Sequence, residues 1–234
     1  ERGRGKRISK GKKKAYPDRL RKIQASTRNS MPTNENDLSY VIHHTRAMRR
    51  LKPDPVPEKL LHELIDAANQ GPTGSNKQNT SWIVVRDVEQ KKKLAELNKI
   101  AVDGYIDAPD SSAPERAGIV KAVKWQRDHF VDIPAILIPC LTFEMLPADT
   151  WQAGAGSGGS VWPAVQNVLL TARSLGLGAA LTTLGLSNRP AAKEILGLPE
   201  LVEPYAIIPV GYPMGKFGPV SRRPVEDVVH FDRW

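Results

Sequence analysis

The longest helical apolar period in the chain runs from Val161 to Leu175, and it constrains the fold more than any other feature. Val161, Val165, Val168, Leu169, Ala172 and Leu175 recur at helical spacing, and Gly176 stops the run. A helix this apolar belongs in a core. A second helix is expected from Pro57, with Leu60, Leu61, Leu64, Ile65 and Ala68 on one face and an end near Gly71. Short apolar runs at Trp82 to Val85, around Ile136 and at Tyr205 to Val210 read as buried strands. Helices and strands mix without the regular alternation of a doubly wound sheet. The fold class is therefore α+β, in one sizeable domain.

Further elements fill the gaps. A short helix is expected from Asp37 to His44, a lysine-rich amphipathic helix from Val88 to Asn98, another from Glu115 to Phe130, and a last one from Ala191 to Leu196. The prolines of Lys52 to Pro57 force extended backbone. Leu177 to Leu184 is small and β-prone, and Ser221 to Trp234 reads as an extended tail. Residues 100 to 116, broken by Gly104, Pro109, Asp110 and Pro114, read as a long loop of the kind that covers substrates. No apolar run approaches the ~18 residues of a membrane span. The single cysteine, Cys140, falls in an apolar run and reads as a buried structural thiol; one cysteine allows no disulfide within the chain and fits a reducing cytoplasm.

The net charge of +9 suggests nucleic acid until it is located. Residues 1–30 hold twelve Lys or Arg against Glu1 and Asp18, a net of +10, which leaves residues 31–234 at −1. Basicity belongs to the tail alone. It lacks apolar periodicity and reads as a disordered, vector-derived or upstream extension preceding a domain that opens at Met31. A polyanion-binding arm is its functional alternative, and packing between two copies of the chain the third reading.

Gly154, Gly156 and Gly159 spell G-x-G-x-x-G ahead of the core helix. A dinucleotide fingerprint needs those glycines directly after a strand and an acidic residue ~20 positions on. Here the preceding strand ends near Leu141, and Gly176 to Ala180 occupies the acidic position. The motif reads as a flexible loop. No His or Cys spacing suggests a metal, and His43 and His44 read as structural.

Three segments point instead to a phosphorylated, planar ligand. Arg46, Arg49 and Arg50 carry guanidinium forks on a stretch fixed by the prolines that follow. Such forks match phosphate bidentately and stay charged. Pro72-Thr73-Gly74-Ser75-Asn76-Lys77-Gln78 combines backbone freedom with two carboxamides that donate and accept, which suits the edge of a flavin ring. Ser221-Arg222-Arg223-Pro224 supplies more arginines near the C-terminus.

Together these segments resemble the nitroreductase family. The stretch from Thr45 to Pro57 is similar to its opening motif and Gly71 to Gln78 to its second. Gln166-Asn167, Leu175-Gly176-Leu177-Gly178, Pro209-Val210-Gly211-Tyr212-Pro213 and Arg222-Arg223-Pro224-Val225-Glu226 match as well, so the resemblance spans roughly residues 37 to 234. It departs at Thr45 and Ala47, where a second arginine and a serine are common, and at Asn79-Thr80, where many members have Pro-Trp.

The resemblance implies a central, mostly antiparallel sheet flanked by helices, in an interlocked homodimer with two FMN sites built from both subunits. It implies that Arg46, Ala47, Met48, Arg49 and Arg50 approach the FMN phosphate and ribityl chain, with Arg222 and Arg223 joining them. Gly74, Asn76 and Gln78 would sit near the ring, and Leu181, Thr182 and Thr183 along its N5 edge. A hydroxyl there both donates and accepts. The implied activity is ping-pong reduction: hydride passes from NADH or NADPH to the flavin, the oxidised nicotinamide leaves, and a nitroaromatic, quinone or related electrophile enters the same pocket. A flavoenzyme of the same fold with other chemistry (dehalogenation, enone reduction, flavin breakdown) is the alternative, and nucleic-acid binding through residues 1–30 a third.

Overall fold

A computed structural model describes residues 37–146 and 157–234. The basic tail, the segment from Met31 to Asn36, and Gly154 and Gly156 lie outside the described residues. The sheet is antiparallel throughout, with strands β1 (Thr80–Val85), β2 (Ala135–Thr142), β3 (Gly178–Ala179), β4 (Val202–Pro204) and β5 (Ile208–Gly211). Their order is β1-β2-β5-β3, and β4 pairs with β2 beside β5. The register sets Ile83 opposite Ile138, Leu137 opposite Ile208, and Gly178 opposite Gly211. Strand β2 is central and buried along nearly its whole length, Cys140 included.

The helices are α1 (Leu38–His44), α2 (Glu58–Asn69), α3 (Val88–Asp107), α4 (Ala117–Asp128), α5 (Trp162–Ser174) and α6 (Arg189–Leu196). One core lies between the sheet and the α2–α5 pair, where Leu61, Leu64, Val165, Val168 and Ala172 meet Leu137 and Ile208. On the other face Leu94, Phe130, Ile136, Ile138 and Ile207 form a second core beneath α3. α2 and α5 approach closely: a Cβ on Gly71 would stand 2.8 Å from the Ala164 amide nitrogen. Gly176 ends α5 at φ +74, and the Leu177 amide donates to the Ala172 carbonyl at 2.8 Å. Among the described residues no helix is long and apolar enough to cross a membrane.

The structure corrects the sequence reading in three places. α3 runs on to Asp107, so half of the expected loop 100–116 is helix, followed by two 3-10 turns. Gly104 lies in its exposed face, where glycine costs only about 1 kcal/mol, while Val102 is buried and Asp103 pairs with Lys99 and Arg127. Tyr205 to Val210 is not one strand. The Tyr205 amide bonds to the Pro139 carbonyl, and Ile207 exchanges hydrogen bonds with Thr182, which leaves β4 and β5 as separate short strands. Only Gly178–Ala179 of the β-prone Leu177 to Leu184 stretch joins the sheet as a strand, with Thr182 as an isolated bridge.

Candidate active site

The arginine segment is held by hydrogen bonds on both sides. The Met48 amide donates to the Ala179 carbonyl at 2.9 Å, at the edge of the sheet. On the other side the chain beyond β5 returns along it: Lys52 donates to Tyr212, Met214 to Arg50, and Val220 to His43. That pairing carries Arg222 and Arg223 back beside Arg46. Leu51 anchors the register, because Gly178 and Gly211 face each other and leave room for its side chain. A Cβ at Gly178 would come within 2.8 Å of Leu51 Cδ2, and one at Gly211 within 3.3 Å of Leu51 Cβ.

Between this segment, β3 and α5 lies a cavity of about 760 Å³, within the ~300–1,000 Å³ typical of ligand sites. Arg46, Ala47, Arg222 and Arg223 stand at one end. The walls are Gln166, Leu169 and Arg173 of α5 and the small, apolar run Ala179, Ala180, Leu181. Trp162, Gln166, Leu169 and Arg173 recur three and four apart, so they form one stripe along α5. The stripe continues past the large cavity to a smaller one of about 350 Å³, lined by Trp162, Thr183, Arg189 and Tyr205. The two cavities share no lining residue and follow one another along this side of α5, together called the trough, with Arg46, Arg173, Arg222 and Arg223 on the first and Trp162, Tyr205 and Arg189 on the second. Arg173 is buried, its guanidinium 4.3 Å from the centre of the Phe217 ring and 5.6 Å from that of Tyr40.

Of the residues singled out from the sequence, Arg46, Ala47, Leu181, Arg222 and Arg223 line the large cavity. Arg46 and Ala47 also border a second groove on the far side of the segment, and Met48, Arg49 and Arg50 line only that groove. Burial pulls the Arg49 guanidinium below its ordinary pKa. Thr183 lines the small cavity. Thr182 spends its backbone on Ile207, and its hydroxyl accepts the Leu184 amide at 3.2 Å. Gly74, Asn76 and Gln78 line neither cavity. Their loop is tied to the start of α5, where the Gly74 amide donates to Ser160 Oγ at 2.9 Å. Ser75, Asn76 and Gln78 all take positive φ, near +50°, a backbone strain that clusters at functional sites.

Sequence reasoning named Gln166 without assigning it to the site, and passed over Trp162 and Arg173. The available signal was a glutamine and an arginine inside the apolar period of α5, at positions sharing one side.

The donor set fits a phosphorylated, planar group: guanidinium forks at one end, then small and apolar side chains that leave a flat wall. The family model described as the Nitroreductase family matches residues 42–212. The chain belongs to the nitroreductase family. Among curated relatives, the NADH dehydrogenase of Thermus thermophilus is 29% identical over 193 residues, covering 79% of this chain and 90% of that one. The FMN reductase [NAD(P)H] of Bacillus subtilis is 28% identical over 194 residues, covering 79% and 69%. Among solved structures, oxidized iodotyrosine deiodinase bound to FMN and 3-iodo-L-tyrosine superposes with a TM-score of 0.68 at 20% identity, covering 85% of this chain and 100% of that one. At that identity the likeness is one of fold, and the antiparallel sheet with flanking helices is the nitroreductase architecture.

Proposed function

We propose that the trough holds FMN with its phosphate at Arg46, Arg222 and Arg223 and its ring toward Leu181, Thr182, Thr183 and Trp162. The chain is an FMN-dependent oxidoreductase of the nitroreductase family that draws electrons from NAD(P)H. Nitroaromatics, quinones or related small electrophiles are its acceptors, taken in a ping-pong sequence after the oxidised nicotinamide leaves. The observation that carries this reading is the large cavity, where Arg46, Arg222 and Arg223 line the same space as the apolar Leu169, Ala179, Ala180 and Leu181. Bound FMN supplies hydride transfer between donor and acceptor. The chain's own residues would bind and orient it: the arginines would hold the phosphate, Leu169 and Leu181 would exclude water, and a hydroxyl of Thr182 or Thr183 would offer a ring nitrogen a partner able both to donate and accept.

The site is completed by a second copy of the chain. Asn76 and Gln78 suit a flavin edge yet line neither cavity of their own protomer, and the C-terminal arm leaves Val225, Phe231 and Trp234 exposed at 58%, 70% and 101%. An interlocked homodimer would cover that arm and bring the partner's 72–78 loop to the ring.

The experiment is direct. The purified protein is expected to be yellow and to release about one FMN per chain on denaturation, the stoichiometry of a site supplied by each chain's own arginines. Turnover is then measured with NADH and NADPH against nitroaromatics, quinones, enones and halogenated phenols. A colourless protein that cannot be reconstituted with FMN overturns the reading. Turnover of halogenated phenols alone favours the dehalogenating chemistry that this fold carries in iodotyrosine deiodinase.

A further inference from the structure

We propose that the groove behind the arginine segment is a capture site for the FMN phosphate, where the incoming cofactor docks before it crosses Arg46 into the large cavity. This rests on the FMN reading of that cavity. The groove encloses about 630 Å³, and Arg46, Arg49, Arg50, Lys121, Lys124 and Lys216 line it. Asp128, the one acid among its lining residues, is already bonded to Arg127 Nε at 2.8 Å. Among the described residues none of the six cations forms an ion pair. The concentration is local, since residues 31–234 together carry a net charge of only −1. A cleft lined by one sign of charge focuses the field and raises the local concentration of counter-ions. The anion it gathers is the one the neighbouring cavity is built to keep.

Position and exposure make the groove a way in rather than a resting place. It meets the large cavity at Arg46 and Ala47, which line both, and Arg46 stands with Arg222 and Arg223 at the end assigned to the phosphate. A phosphate drawn into the groove therefore arrives beside a guanidinium of its final site. Lys121 and Lys124 are three residues apart on α4 and share a face. Both are exposed, as is Lys216. Exposed ion pairs contribute only about 0–1 kcal/mol at equilibrium, because water and salt screen them. Their summed field acts instead on the rate of encounter. Bound FMN is then retained by the arginines of the large cavity and by the apolar wall of Leu169, Ala179, Ala180 and Leu181. The lysines act before that, on arrival.

The test follows FMN association with the full-length apoprotein by stopped-flow quenching of flavin fluorescence, and FMN release in a separate chase. The proteins are the parent, K121Q/K124Q and K59Q/K93Q. Lys59 and Lys93 are exposed, line neither the groove nor the trough, and form no ion pair among the described residues, so the last variant removes the same charge elsewhere. All four lysines are exposed on helices, so the fold is expected to survive substitution. At low salt K121Q/K124Q is expected to take up FMN about threefold more slowly than the parent, with release unchanged. The gap is expected to close near 1 M salt, where charges are screened beyond ~3 Å. K59Q/K93Q keeps the parent's rate, and riboflavin, which has no phosphate, associates equally with all three proteins. Unchanged FMN association in K121Q/K124Q overturns the proposal. Equal slowing in K59Q/K93Q or with riboflavin overturns it too, since the effect would then not be a phosphate steered by this groove. Faster release at an unchanged association rate also overturns it, by placing the lysines among the contacts of bound cofactor. A parent that binds no FMN refutes both readings; a parent that fills with FMN at a rate indifferent to Lys121 and Lys124 refutes only the groove.

Discussion

Single residues decide whether the trough can close on a phosphate. Arg46 and Arg222 reach the cationic end from segments far apart in sequence, so each is expected to make its own charge-assisted contact, worth roughly 1.5–3 kcal/mol. Arg46→Ala and Arg222→Ala should therefore each weaken FMN binding about tenfold or more, read by fluorescence titration of the apoprotein; parent-like affinity in both would remove the phosphate from this end. Gly178 works indirectly. An added methyl would press on Leu51 Cδ2 at 2.8 Å and Met48 Cβ at 2.9 Å, the two side chains that seat the arginine segment. Overpacking of this kind costs about 1–3 kcal/mol, so Gly178→Ala should lower the unfolding midpoint and loosen FMN together. Cys140 is the opposite case, a reactive group made inert. Burial pushes its thiol up to about 12 from 9.0. The folded state thus keeps its proton where the unfolded state loses it, and the resulting stability is fully present below pH 9.0 and is lost as pH rises toward about 12. A thiol reagent at neutral pH should label the protein only after denaturation.

At the scale of elements, α3 shows why a glycine did not mark a loop. Gly104 lies inside the helix, and a methyl added there would have no neighbour within 4 Å, so Gly104→Ala meets no obstacle. It should stabilise the protein by about 0.5–1 kcal/mol, measured by urea unfolding, through helix propensity and a less flexible unfolded chain. Destabilisation there would mean that α3 does not continue past Asn98. α5 does two jobs at once. Val165, Val168 and Ala172 build the core, while Trp162, Gln166, Leu169 and Arg173 form the wall of the trough. A substitution on the first set should cost fold stability, and one on the second should change flavin content first.

Across the whole molecule, the lining of the large cavity begins at Ile42 among the described residues, and every segment singled out for the cofactor lies beyond Met31. Deleting residues 1–30 is expected to leave flavin content and turnover unchanged and to abolish any polyanion affinity, which in the intact protein should fall steeply with salt. Loss of FMN on truncation would assign the tail to the fold. Sedimentation should find a dimer, and removing residues 225–234, with their exposed Val225, Phe231 and Trp234, should shift it toward monomer and release flavin. A monomer that retains FMN would contradict a site shared between subunits.

The α+β class, the core helix with its glycine stop, and the arginine, carboxamide and C-terminal segments that mark the family are all legible along the chain. Each of these is local: a 3.6-residue period, a positive φ, or a residue type suited to one bond. Which of those residues meet is settled by tertiary contacts. The arginine segment is extended and paired on both edges, so its side chains divide between two grooves. Arg46 lines both, while Arg49 and Arg50 line only the groove that faces α4. The carboxamide loop takes positive φ at Ser75, Asn76 and Gln78, and Ser160 ties it to the start of α5, where its carboxamides line neither cavity of its own protomer. Helix length and strand breaks were set in the same way, by contacts such as Asp103 with Arg127 and Ile207 with Thr182 that join residues distant along the chain. Periodicity carries information over one or two turns; the partners that close a site come from anywhere in the sequence.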